Sequence, residues 1–96
     1  MNLETIRTKY REQILQIADK YKADDVRIFG SVARGESRED SDIDILVHFK
    51  KGASLLDEAG LDIDLKELLG CKVDVLSDRV IRDEFRPFIL REARHL

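Results

Sequence analysis

The sequence predicts one small α/β (α+β) fold in which a sheet of short strands is flanked by helices. Three observations carry that reading. Three apolar segments with strand-like patterning, Val26 to Phe29, Ile43 to Phe49 and Val73 to Leu76, are separated by stretches with helical periodicity or turn composition. The 96 residues leave room for a single domain spanning residues 1–96, with no second unit appended. Hydrophobic residues at 43% against charged residues at 39% can build one modest core under a charged surface, which argues against disorder.

The elements follow in order. From Leu3, the apolar residues Leu3, Ile6, Tyr10, Ile14, Ile17, Ala18 and Tyr21 recur at spacings of three and four between charges, which predicts an amphipathic helix with Asn2 as its N-cap. Lys20 and Lys22 suit the C-terminal end of that helix, and Asp24 and Asp25 break the pattern before the first strand, Val26 to Phe29. Gly30 to Asp42 is polar and has no apolar period beyond Val32 and Ala33, so it reads as a loop with one helical turn at most. In the second strand Ile43, Ile45, Val47 and Phe49 alternate with Asp42, Asp44, Leu46 and His48, which gives one apolar face and a second face headed by two carboxylates. Ser54 to Leu69 predicts a four-turn helix that starts on a Ser cap and stops at Gly70, with Gly60 costing about 1 kcal/mol relative to Ala. Val73, Val75 and Leu76 surround Asp74 in a third strand, and Val80 to Leu96 is expected to be helical with a boundary near Pro87.

Composition narrows the function. Lys and Arg total 17 against 20 Asp and Glu, a net charge of -3, which argues against direct nucleic-acid binding through blanketed phosphates. It leaves open a single nucleotide held through a metal. Cys71 is the only cysteine, so neither an intrachain disulfide framework nor a cysteine-based zinc cage is expected. Residues 1–20 carry charges every two or three positions, with neither a leader-like apolar run nor a membrane span, and the expected location is the cytoplasm.

The chemistry concentrates between Gly30 and Asp74. A glycine directly after a strand lets the backbone turn and approach an anion, and the following Ser31 offers a hydroxyl and exposed N–H groups to phosphate oxygens. Gly30 and Gly35 bracket four residues as in a P-loop, but Glu36-Ser37 stands where that motif needs Lys and then Ser or Thr. Arg34 is the cation left in the loop, and a solvent-facing arginine is its plain alternative. Asp42 and Asp44 project from the same face of a strand, roughly 6 to 7 Å apart at Cα, and repel each other unless cations lie between them. Mg²⁺ takes oxygen ligands from one or two carboxylates and from substrate phosphates, which suits this pair beside a phosphate-binding turn. Asp74, on a separate strand, could reach the same face, and a third carboxylate would permit a two-metal arrangement. The plainer reading makes Asp42 a turn cap and Asp74 part of a solvated edge.

Gly30-Ser31-Val32-Ala33-Arg34-Gly35, Ser41-Asp42-Ile43-Asp44-Ile45-Leu46-Val47 and Val73-Asp74-Val75-Leu76 together resemble the signature of the DNA polymerase β-like nucleotidyltransferase superfamily. Within it, the short length is similar to the minimal nucleotidyltransferase (MNT) domains, antitoxins encoded beside HEPN-domain toxins. The resemblance runs over about half the chain. It implies a mixed sheet flanked by helices, with Gly30 and Ser31 on the triphosphate, Asp42 and Asp44 on Mg²⁺, and Asp74 as a third metal-site carboxylate that helps deprotonate the attacking hydroxyl; Arg34, the loop's cation, is the further candidate nucleotide contact, and two Mg²⁺ ions are expected. It also implies ATP as substrate and AMP transfer onto a tyrosine of a HEPN-type RNase toxin, silencing it. The competing expectation is a binding module that neutralises the toxin by contact alone.

Other residues invite weaker readings. Asp62-Ile63-Asp64 is a second Asp-x-Asp, but on a helix residues two apart lie about 200° around the axis and cannot share a metal. A haloacid-dehalogenase-type site needs its aspartate at the end of an apolar strand, whereas here the apolar strand follows the aspartates. His48 is about 13 Å along the strand from Asp44, too far for a shared ligand shell. Tyr10, Tyr21, Phe29 and Phe49 read as core, Phe85 and Phe88 as core or partner contact, and Cys71 as an inert thiol.

Overall fold

The computed structural model describes residues 1–96, and its first element is capped as the sequence predicts: the Asn2 side chain accepts from the Thr5 N–H at 2.8 Å. The predicted amphipathic helix is interrupted. It runs as α1 (Leu3–Thr5), a π-helical segment (Ile6–Tyr10) and α2 (Arg11–Lys20). The π turn inserts a residue into the helical ladder, and the chain resets at Tyr10, whose φ is -122° and ψ -4°. Ile6 and Ile14, on either side of the reset, are both fully buried.

β1 (Ala23–Phe29) begins three residues before the predicted Val26. Asp25 takes a positive φ of 49°, and the register against β2 shifts between Asp24 and Arg27, so a bulge carries the strand through two exposed acids. The polar stretch after β1 opens with the one short helix expected there, α3 (Gly30–Arg34). It leads to β2 (Ile43–Phe49) and then to α4 (Leu55–Leu69). Ser54 and Asp57 cap α4 reciprocally, and Gly70 ends it in the left-handed conformation. Gly60 has a packing reason: a Cβ there would lie 2.2 Å from Tyr21 Cε1, so α4 approaches the end of α2 only without a side chain.

β3 (Val73–Ser77) is followed by a 3-10 turn (Asp78–Val80). The helix expected over Val80 to Leu96 is mostly absent: only α5 (Arg86–Glu92) is helical, with Pro87 in its first turn. The chain then turns extended as β4 (Arg94–His95), which pairs with Arg27 and Ile28 of β1. Long-range contacts hold it there, since Arg7 donates to the His95 carbonyl at 2.6 Å and Arg11 to the Leu96 carbonyl at 3.1 Å.

The sheet order is β3-β2-β1-β4, with β2 and β3 parallel and the other pairs antiparallel, a mixed sheet flanked by helices. Ile43, Ile45, Val47 and Phe49 of β2 are at most 5% exposed and share one core with Ile14, Ala18, Leu61, Leu65 and Leu69 from α2 and α4. The opposite face of β2 carries the carboxylates. No helix is long and apolar enough to cross a membrane.

Candidate active site

β1 runs antiparallel to β2 and β2 parallel to β3, so the C-terminal end of β1 and the N-terminal ends of β2 and β3 meet at one edge of the sheet. The register aligns Phe29 with Asp44 and Asp44 with Asp74. Asp44 and Asp74 are therefore neighbours on adjacent strands, and Asp42, two residues before Asp44, belongs to the same face. Asp44 is half-buried, whereas Asp42 and Asp74 are exposed. Burial pushes the Asp44 carboxyl above the usual carboxylate range, the negative charges of Asp74 and Asp42 push it further, and Arg34 opposes them.

The turn after β1 is built around that carboxylate. Gly30 has φ +71°, and a Cβ on it would lie 2.1 Å from Asp44 Oδ2. Glycine is thus required twice, for the left-handed backbone and for the close approach. The Gly30 N–H donates to Glu92 Oε2 at 3.1 Å, Arg34 Nη1 bonds the other oxygen of the same carboxylate, and Arg34 Nε donates to Glu36 at 2.9 Å. The Arg34 guanidinium also acts electrostatically on Asp44. Gly30, Ser31, Arg34, Asp42, Asp44 and Asp74 therefore come together at one sheet edge.

No group of three or more His, Cys, Asp or Glu side chains is placed to hold a metal ion without further ligands, the three aspartates included. The three aspartates form an open row, and the surface cavities are lined by other residues. An open row of hard oxygen donors, one of them crowded by its neighbours, fits a Mg²⁺ that takes the rest of its ligands from phosphates and water. It does not fit a closed structural metal site.

The second Asp-x-Asp lies in α4, away from this edge. Asp62 pairs with Lys66 at 2.8 Å, and Asp64 accepts from Tyr21 Oη at 2.7 Å and Lys20 at 3.4 Å. His48 pairs with Asp78 at 3.0 Å. Burial pushes the Cys71 thiol up, consistent with an unreactive cysteine. Phe49 is core, while Phe85 and Phe88 are 53% and 67% exposed. Glu92 is the contact of this turn that sequence reasoning missed. It reaches Gly30 and Arg34 across 62 and 58 positions, and nothing in its local pattern signals that contact.

Residues 10–95 match the nucleotidyltransferase domain family. A candidate protein adenylyltransferase of Methanocaldococcus jannaschii is 45% identical over 93 residues, 97% of this chain and 96% of the relative. The protein adenylyltransferase MntA of Thermococcus cleftensis is 34% identical over 91 residues, 95% of this chain and 89% of the relative. Among solved structures, a candidate minimal nucleotidyltransferase superposes with a TM-score of 0.87 at 50% identity, covering 100% of this chain and 97% of that one. A toxin–antitoxin crystal structure with AMP-PNP shares the fold, with a TM-score of 0.76 at 20% identity over 90% of this chain and 71% of that one.

Proposed function

This chain belongs to the nucleotidyltransferase domain family and is a nucleotidyltransferase, and from that premise we propose that it transfers AMP from ATP to a tyrosine hydroxyl of a partner HEPN-type RNase toxin, as its antitoxin. The observation that carries the site is the alignment of Asp44 with Asp74 beside a glycine turn that packs on Asp44 itself. The acceptor and partner are supported by the resemblance in sequence, by the relatives named protein adenylyltransferases and by the toxin–antitoxin complex that shares the fold.

In this reading the Gly30 N–H and the Ser31 hydroxyl hold the triphosphate, and Arg34 adds a positive charge at the same edge. Asp42, Asp44 and Asp74 would hold Mg²⁺, which would supply charge neutralisation at the phosphates. Asp74, exposed and next to Asp44, takes the proton of the attacking tyrosine hydroxyl as its oxygen bonds to the α-phosphorus and the bond to the β-phosphate breaks. The protein's contribution is positioning and charge placement. The open shelf around the aspartates suits an acceptor delivered by another protein.

The test is co-expression with the protein encoded beside it, followed by intact-mass measurement of that partner. The expected result is rescue from toxicity and a partner heavier by whole AMP units. Full neutralisation of an unmodified partner would instead establish the contact-only antitoxin.

A further inference from the structure

We propose that the Glu92 carboxylate is a built-in competitor for the nucleotide phosphate: it takes the Gly30 N–H and the Arg34 guanidinium, and must swing aside before a triphosphate can bind them. This rests on the reading of the Gly30–Arg34 turn as the phosphate site. Both oxygens of Glu92 are engaged, Oε2 by a backbone N–H and Oε1 by a guanidinium. One anion bridging an N–H and an arginine uses the donor pair with which proteins hold phosphate oxygens.

The geometry also suits displacement, because the side chain can leave without unfolding its helix. α5 is held elsewhere, by Arg86 on the Ile81 carbonyl at 3.3 Å and by the β4 pairing that follows it, and the Glu92 side chain is 24% exposed.

Glu92 then lowers apparent nucleotide affinity by the fraction of molecules in which it has vacated the site. Replacing it should raise affinity without adding any contact to the nucleotide. The experiment is calorimetric titration of the full chain with Mg-ATP and with inorganic tripolyphosphate, for the parent, Glu92→Gln and Glu92→Asp, with thermal unfolding of each. Gln keeps the length and loses the charge; Asp keeps the charge and loses the reach. Both variants should bind both probes more tightly, Gln by about tenfold, while their melting temperatures fall because the strut between α5 and α3 is weaker.

Parent-like affinity in folded variants would overturn the inference while leaving the nucleotide site in place, and would make Glu92 a structural strut only. If Gln does not fold, Asp decides by the same criterion. A gain seen for ATP and not for tripolyphosphate would also overturn it, because the competition is over phosphate. Failure of the parent and of both variants to bind either probe would remove the nucleotide reading of this turn and the inference with it.

Discussion

Asp44→Asn separates a functional carboxylate from a structural one by the sign of its effect on stability. Asp44 and Asp74 are paired on adjacent strands, which lie about 4.8 Å apart. At that distance two unit charges repel by about 1 kcal/mol in a water-like medium and by about 3.5 kcal/mol at an effective dielectric of 20. Because Asp74 is exposed, the lower end applies, about 1 kcal/mol. Asparagine keeps the shape that packs on Gly30, so the mutant should melt roughly 4 to 8 °C higher at neutral pH without metal or nucleotide. The pH dependence has a fixed direction. The folded-state carboxyl of Asp44 is raised, so the penalty is full above that raised value, shrinks as pH falls through it, and is gone below the unfolded value of about 3.9. The melting-temperature advantage of the mutant should close over the same interval. Mg-ATP at 100 times its Kd should stabilise the parent by about 2.7 kcal/mol and the mutant hardly at all. Transfer of label from α-labelled ATP to the partner should fall by at least about 10²-fold, and further in Asp42→Asn with Asp44→Asn. A mutant clearly destabilised at neutral pH, or one that keeps its Mg-ATP stabilisation and its labelling, would refute the assignment.

Ser31→Ala should weaken ATP binding by about 1.5 to 3 kcal/mol, the value of one hydrogen bond to a charged group, without moving the melting temperature; unchanged affinity removes Ser31 from the site. Asp62→Asn combined with Asp64→Asn should lower the melting temperature slightly, because the amide still accepts from the Tyr21 hydroxyl while the ion pairs with Lys20 and Lys66 are lost, and should leave Mg-ATP binding and AMP transfer at parental levels. A loss of transfer matching that of Asp44→Asn would place the catalytic carboxylates on α4. Gly60→Ala should destabilise despite a helix-propensity gain of about 1 kcal/mol, because the new Cβ pushes on the Tyr21 ring whose hydroxyl is tied to Asp64. A higher melting temperature for that variant would refute the close-packing account.

The parts of the fold that were legible in the sequence are those set by local patterning. The alternation from Asp42 to Phe49 is a backbone period of two, and the Ser54 cap and Gly70 stop are local hydrogen-bond and dihedral requirements, so these elements lie where their residues say. The Asp-x-Asp pair in α4 could be set aside because helical geometry alone separates its members. What was not legible depends on distant contacts. β4 is two residues of no particular propensity, extended because β1 offers an edge and Arg7 and Arg11 hold the carbonyls of the chain end. The start of β1 was hidden because Asp24 and Asp25 look like a break, and only the bulge reconciles them with a strand. Glu92 is of the same kind, since its role exists only once α5 packs on α3.

The core also sets the chemistry. Asp44 faces the shelf because Ile43, Ile45, Val47 and Phe49 face the other way, and burying those four fixes the register of β2 against both of its neighbours. Side chains alternate with a period of two, so a slip of one residue would send Asp44 into the core and Ile45 onto the shelf. The burial energy of the apolar face therefore offsets the cost of lining up carboxylates that repel one another. It acts through a strand only seven residues long. Antiparallel pairing on one side of that strand and parallel pairing on the other completes the arrangement. It brings one strand's end, with its glycine turn, to the starts of two others, so the carboxylate-lined edge is assembled from three short segments.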